Sequence, residues 1–404
     1  MQSTQGKKSN RKARVLGSVL ASAAMLLPSA SKALADAAPE EGVVSLKYLN
    51  YHDSQTGDTD FTAGMSKDRM TVNALSLMTV VPIAGKWSIA TTFIEDSVTG
   101  ASPAYHGWGF PSESKKDTTS GASGDLRYVG DLAVTRYFSR GTLTAGASYS
   151  QESDYISRGI SLNGTLSTES RNTTFSLGAA CNSDTIDLNK PNVVDSKKSD
   201  TPGRKRVVSG LFGVTQVLSQ NDIMQLTATY THGDGYYSDP YKDPDARPGK
   251  RRMFTLMTRW NHHFDGPDGT ARLAYRYYTD TFGIEAHTFT AEYVQPLPHG
   301  WDITPMVRYY SQSAASFYVP TGDDPRAPTP TDGMEYYSED QRLSAFGAFS
   351  YGVKVARELG RSWSADVKYE HCEQRYDWGI NGHGDHGIPT FDFRSVQVGL
   401  SRKF

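Results

Sequence analysis

After the first 35 positions the chain has no apolar run long enough to cross a bilayer as a helix, which takes about 20 residues, and its mean hydropathy is −0.52. A helical membrane protein is thereby excluded. A transmembrane barrel is not, because each strand needs only about 9–11 residues and only alternate ones meet lipid. Cysteine is almost missing: Cys181 and Cys372 lie far apart with no CxxC pair. Two such cysteines make neither a disulfide framework nor a thiolate metal site, and both are expected as small buried side chains within strands. Excess positive charge is missing too, with 42 Lys and Arg against 44 Asp and Glu. Nucleic acid is therefore not an expected partner.

Residues 1–35 read as a secretory signal peptide. Lys7, Lys8, Arg11, Lys12 and Arg14 form a basic start, and an apolar, small-residue stretch runs from Val15 to Ala30. Ala33-Leu34-Ala35 then offers a cleavage site before Asp36, the order an export signal requires. Pro28 and Ser31 break the stretch short of a membrane anchor. Removing this segment takes six of the bases and none of the acids, leaving 36 bases against 44 acids and moving the net charge from −2 to −8. Residues 36–404 are expected to form one domain without cofactor or enzymatic activity.

What remains alternates with period 2. Met224, Leu226, Ala228 and Tyr230 alternate with Gln225, Thr227 and Thr229, and Trp363, Ala365, Val367 and Tyr369 with Ser364, Asp366, Lys368 and Glu370. A helix would spread these charges over its whole circumference, whereas a strand sorts them to one face. The clearest alternating run is Arg342–Leu359, with Phe346 and Ala348 as misfits. Short turns are expected near Ala84-Gly85, Ser139-Gly141, Ser170-Asn172, Gln220-Asp222, Asp265-Gly269, Leu297-Gly300 and Gly360-Arg361. Between them fall polar connections near 52–68, 97–124, 151–156, 185–205, 231–250, 280–283, 314–341 and 376–390. Alternating short and long connections describe an antiparallel up-and-down barrel with both termini on the short-turn, periplasmic side. The count gives sixteen strands, with 14 or 18 as the neighbouring even solutions.

Aromatics collect at strand ends. Trp87, Phe138, Phe264, Trp301 and Trp363 lie beside short turns, while Tyr236-Tyr237, Tyr277-Tyr278, Tyr309-Tyr310, Phe317-Tyr318 and Tyr336-Tyr337 lie toward the long loops. Two girdles at headgroup level are expected of a barrel in lipid. Val396, Val398, Leu400 and Phe404 share one face of the last segment, as in a β-signal read by barrel-assembly machinery, with Arg402 departing from that pattern. Gram-negative outer-membrane lipid and lipopolysaccharide are the other expected partners.

Several longer motifs resemble a known family. They are Gly213-Val214-Thr215-Gln216-Val217-Leu218, Gly235-Tyr236-Tyr237-Ser238-Asp239-Pro240-Tyr241-Lys242, and Tyr275-Arg276-Tyr277-Tyr278 with Phe282-Gly283-Ile284. To these add Arg308-Tyr309-Tyr310-Ser311-Gln312-Ser313-Ala314-Ala315 with Phe317-Tyr318, and Arg342-Leu343-Ser344-Ala345-Phe346-Gly347. Together they are similar to the domain of unknown function 3570 family of proteobacterial exported proteins. The resemblance implies an outer-membrane barrel and brings no catalytic residues.

Candidate chemistry is sparse. Arg259, Arg272, Arg276 and Arg308 fall on polar strand faces, with Glu292 and Asp302 nearby. Arg259 and Arg276 are expected at similar height. The set reads either as a lumenal constriction that selects small anions or polar solutes, or as an Arg–carboxylate network that fills the interior. His383, Asp385 and His386 form a weak ligand set for Zn²⁺ or Cu²⁺ in a glycine-rich loop; a solvated loop is the plainer reading. Asp239, Asp243 and Asp245 lack EF-hand spacing. His262-His263 point to opposite faces. Ser311, Ser313, His287 and Asp280 carry rim chemistry without a nucleophile elbow. A passive pore is the leading function, a non-conducting structural or binding barrel the second, and a rim enzyme the third.

Overall fold

The computed structural model describes residues 37–56, 68–101, 121–191, 193–242, 245–320, 334–380, 382, 384–388 and 390–404. The expected export signal, His383, Asp243 and parts of the 52–68, 97–124 and 314–341 connections lie outside them.

The sheet opens with β1 (Val43–Thr56), β2 (Asp68–Ile83), β3 (Trp87–Ala101) and β4 (Gly121–Phe138). Next come β5 (Gly141–Gln151), β6 (Tyr155–Ser167), β7 (Thr173–Ile186), β8 (Gly203–Val217) and β9 (Asp222–Gly235). A two-residue β10 (Asp245–Ala246) precedes β11 (Lys250–Phe264), β12 (Gly269–Asp280), β13 (Glu285–Leu297) and β14 (Trp301–Gln312). A second short strand, β15 (Tyr337–Ser338), comes before β16 (Phe346–Leu359), β17 (Trp363–Arg375) and β18 (Thr390–Lys403). Without β10 and β15, sixteen strands pair antiparallel in chain order and close into one barrel. Closure joins β1 to β18 in unbroken register from Val43↔Lys403 to Thr56↔Thr390. Closure removes every sheet edge, the condition for β-structure in hydrocarbon.

All seven short turns fall where Gly, Asn, Asp and Ser punctuate the alternation. At the first, Ala84 and Gly85 both take positive φ (50° and 62°), the backbone that a tight hairpin's twist demands and that glycine adopts at no steric cost.

The side-chain period then divides two solvents. Leu143, Ile160, Leu162, Leu177, Phe212, Leu226, Phe289 and Val307 point outward and are exposed. A belt of this extent would be an aggregation hazard in water and matches hydrocarbon instead. Val396, Val398, Leu400 and Phe404 belong to it. Arg402 also faces outward, stacked over Trp363 at 5.3 Å.

Three local expectations are corrected. Arg342 and Leu343 are not strand residues; they form a tight 3-10 turn, Gln341–Leu343, and β16 starts at Phe346. Phe346 and Ala348, which broke the alternation, face inward beneath the loops. Cys181 shares the outward face with Leu177 and is only partly buried, whereas Cys372 is buried. Of the loop-side aromatics, Tyr237, Phe317 and Tyr318 pack with Phe282, Ile284, Ala315 and Leu343 in a small core above the barrel, not in a girdle. Tight packing of these rings competes successfully with the headgroup layer.

Candidate functional site

The lumen wall has two characters. From β5 to β7 the inward positions in the middle of the wall are small and polar: Thr142, Thr144, Gly146 and Ser148 on β5, Ser157, Gly159, Ser161 and Asn163 on β6, then Ser176, Gly178, Ala180 and Asn182 on β7. Hydroxyls pair across strands, as Thr135–Thr144 at 2.9 Å and Thr142–Thr165 at 2.8 Å. Ser148, Asn163 and Asn182 face inward yet are exposed, so this arc borders open space.

From β11 to β17 the wall is charged. Register places Arg259 opposite Ala274 and Met257 opposite Arg276. Arg259 therefore sits diagonally between Arg272 and Arg276, one inward step from each, instead of level with Arg276. Arg272 faces Glu292 directly, at 4.0 Å. Arg308 reaches two strands on to Glu370 at 3.3 Å, and Lys368 holds the other oxygen of that carboxylate at 2.8 Å. Arg276 donates only a long bond to the Thr288 hydroxyl, 3.4 Å. Among the described residues neither Arg259 nor Arg276 has a carboxylate within ion-pair distance. Asp302 lies near the short-turn end of β14, level with Pro296 and Ala356. Arg272 and Arg308 are thus networked with carboxylates, while among the described residues Arg259 and Arg276 face the lumen without one.

Sequence reasoning missed further inward charges that are paired off: Arg127 with Asp96 (2.7 Å), Lys205 with Asp184 (3.0 Å), and Arg251 with Asp280 and the Tyr278 hydroxyl. Their partners lie 21 to 31 residues away in the chain, on neighbouring strands, so only the register reveals them.

Over the long-loop end lies an ionic cap. β10 and β15 pair Asp245 with Ser338 and Ala246 with Tyr337, stitching the 236–249 and 313–345 connections together. Asp340, only 1% exposed, receives Lys242 at 3.0 Å, Arg247 at 2.8 Å and Arg342. Asp239 takes Arg342 at 2.7 Å, and Asp245 takes Arg247 at 2.7 Å. Three carboxylates thus meet three cations. Asp239 and Asp245 are therefore engaged in this cluster and are buried, not part of a solvated loop. Lys197 joins the 187–202 connection by donating to the Asp239 carbonyl at 2.8 Å.

A last connection folds outside. Residues 376–380 lie on the outward face of β14 and β16, where the Tyr309 hydroxyl donates to the Trp378 carbonyl (2.5 Å) and the Ile380 amide donates to the Ser311 hydroxyl (2.9 Å). Gly347 makes this approach possible, since a Cβ there would stand 2.0 Å from the Trp378 carbonyl oxygen. Gly347→Ala is expected to lift this segment at a cost of about 1–3 kcal/mol. Faster proteolysis between 376 and 389 with an intact barrel would register it; an unchanged rate would contradict it. Asp385 accepts from the Tyr318 hydroxyl at 2.6 Å, and His386 is exposed against Tyr376. Among the described residues no group of three or more His, Cys, Asp or Glu is placed to hold a metal.

The enzymatic set does not assemble. His287 points outward to the Tyr275 hydroxyl, 2.8 Å, while Asp280 points inward to Arg251. Ser311 is buried under Ile380. His262 faces outward on Asp222 (2.8 Å) and His263 inward toward Asp268, as their neighbouring positions require.

No curated protein matches the chain. Among solved structures it is similar to a bacterial polysaccharide outer membrane secretin, at 10% identity and TM-score 0.48 over 89% of this chain and 98% of that one. It is similar to OccD3 (OpdP) of Pseudomonas aeruginosa at 10% identity and TM-score 0.44, over 91% of this chain and 92% of that one. Against the siderophore receptor PirA of Pseudomonas aeruginosa it shows 8% identity and TM-score 0.41, with 82% of this chain covered but only 56% of the receptor's length. Likenesses this distant concern barrel shape and say nothing of cargo. The model of one family, described as "Protein of unknown function (DUF3570)", matches residues 17–388, and the chain belongs to that family.

Proposed function

We propose that this is an exported, non-enzymatic outer-membrane pore that passes small polar solutes, with a preference for anions. One observation carries the reading: Arg259 and Arg276 stand as diagonal neighbours on the lumen wall, without carboxylate partners among the described residues, in a barrel whose β5–β7 arc is lined with small polar side chains. Sixteen strands enclose more space than side chains fill. A wall that served only for rigidity would pair such charges, because neighbouring cations repel and unpaired ones gain nothing for the fold.

The ionic cap favours a second reading, a binding barrel closed at its outer mouth. Conductance of the full-length protein refolded into planar bilayers separates the two. Discrete, stable channels support the pore. A correctly inserted protein that raises no current above the lipid baseline rejects it in favour of the closed barrel.

A further inference from the structure

Three times on the lipid-facing surface, the first residue of a strand entering from a short turn is tryptophan, and an arginine lies directly across from it on the next strand. The pairs are Trp87↔Arg136, Trp301↔Arg357 and Trp363↔Arg402. In each the guanidinium lies over the indole, at 4.9, 4.8 and 5.3 Å from the ring centroid. Arg136 also lies 5.7 Å from the Phe138 ring. Each arginine interrupts an outward column between exposed apolar residues: Leu132 and Phe138 around Arg136, Tyr351 and Leu359 around Arg357, and Leu400 and Phe404 around Arg402. Among the described residues none of the three has a carboxylate within ion-pair distance.

We infer that these pairs form a belt on the short-turn rim that binds the phosphates of anionic phospholipids. An indole anchors at headgroup level, and an arginine held over it keeps its forked donors in the same layer, where phosphate oxygens match them two at a time. Beside the first pair lies a cleft of about 380 Å³ lined by Lys86, Arg136, Phe138 and Ser139. Among the described residues its lining, which also includes Ala37 and Ala38, presents two cations and no acid, room and charge for one headgroup. The belt is one-sided. All three pairs fall on the arc that runs from β14 through the β18–β1 closure to β4. On β11 the turn-side tryptophan, Trp260, instead donates to Asp222 at 2.9 Å, and a carboxylate there repels phosphate. Lipid of opposite charge preference therefore meets opposite sides of the rim.

This inference rests on the membrane placement proposed above, and its test separates the two. The full-length protein in detergent is offered an equimolar mixture of phosphatidylglycerol and phosphatidylcholine, and retained lipids are counted by native mass spectrometry. Wild type is expected to retain phosphatidylglycerol about fivefold over phosphatidylcholine, undisturbed by excess inorganic phosphate. Arg136→Gln/Arg357→Gln/Arg402→Gln is expected to bring the ratio near one, while Asp222→Asn leaves it high. If the triple variant does not fold, Arg357→Gln and Arg402→Gln alone are each expected to lower the ratio. A wild-type ratio near one, or a preference that survives in these variants, overturns the belt. Displacement by free phosphate would show an anion site that is not a lipid site, which also overturns it. Failure to enter lipid vesicles at all would instead overturn the membrane placement.

Discussion

Replacing Arg259 and Arg276 together by glutamine is expected to abolish the pore's anion preference, and replacing both by glutamate to reverse it. Diagonal neighbours on paired strands stand ~7–8 Å apart, so an ion passing the wall feels both guanidinium groups at once. Coulomb's law at that range gives about 0.5 kcal/mol per charge in bulk water and about 2 kcal/mol where the low-dielectric wall limits solvent. Two charges removed therefore change relative anion and cation permeability by about one order of magnitude, and reversal doubles the effect in free energy. Reversal potentials across a salt gradient give the ratio directly. Neither arginine is ion-paired to a carboxylate, so the glutamine variant should fold like the wild type, which makes the selectivity reading clean. Arg272 and Arg308 are poorer probes, since removing either also strips Glu292 or Glu370 of a partner. A salt-gradient potential that stays the same in the double variant would remove the arginines from any selective role.

The barrel itself was legible because lipid imposes a rule that single residues report. Every second side chain from Leu143 through Leu400 answers to hydrocarbon, and the turns between need residues such as Ala84-Gly85 that tolerate positive φ. Period, turn chemistry and loop alternation depend only on near neighbours in the chain, and they yielded the sixteen strands with both kinds of connection in place. The inward set was half legible. Alternation assigned Arg259, Arg272, Arg276 and Arg308 to the lumen, yet which of them are neutralised depends on cross-strand register, and a shift of two residues moves Arg259 from beside Arg276 to opposite Ala274. The cap was not legible at all. Asp239 and Asp340 lie about a hundred residues apart, bound to the same arginine, and loops carry no periodicity to announce that. Arg342 even completed a convincing alternating run, because Leu343 and Ala345 happen to continue the β16 pattern into a turn that Asp340 caps through the Arg342 amide (3.0 Å). Local pattern cannot distinguish a strand's last residues from a loop that mimics them when a distant ion pair decides the backbone.

That ion cluster makes the strongest claim on stability. Asp340→Asn removes the carboxylate on which Lys242, Arg247 and Arg342 converge; Arg247 keeps Asp245 and Arg342 keeps Asp239, whereas the buried Lys242 ammonium loses its ion pair. Breaking a buried pair from one side costs about 3–5 kcal/mol, because the remaining charge keeps its desolvation penalty without its compensation. The cost falls on the loops. β10 and β15 are only two residues each and depend on the cluster, whereas the barrel below is held by continuous strand ladders. Cap residues should therefore exchange amide hydrogens and admit protease far sooner in the variant, with the barrel's heat-dependent gel mobility unchanged. Acid should act on the wild type in the same direction. Burial pushes the Asp340 carboxyl up, but Arg342, Lys242 and Arg247 outweigh it and hold the group well below the usual carboxylate range. Its contribution is then fully present above the unfolded-state value of about 4 and is lost as pH falls from there toward the lower folded value. Lys242 works the other way, since burial pulls its ammonium down and weakens the cap below the lysine's ordinary range, so loosening that sets in only below pH ~4 traces to Asp340. Adding Lys242→Met to Asp340→Asn removes the buried cation that lost this ion pair and should recover part of the lost protection. If loop proteolysis in Asp340→Asn runs at the wild-type rate at neutral pH, the cluster does not hold the cap closed.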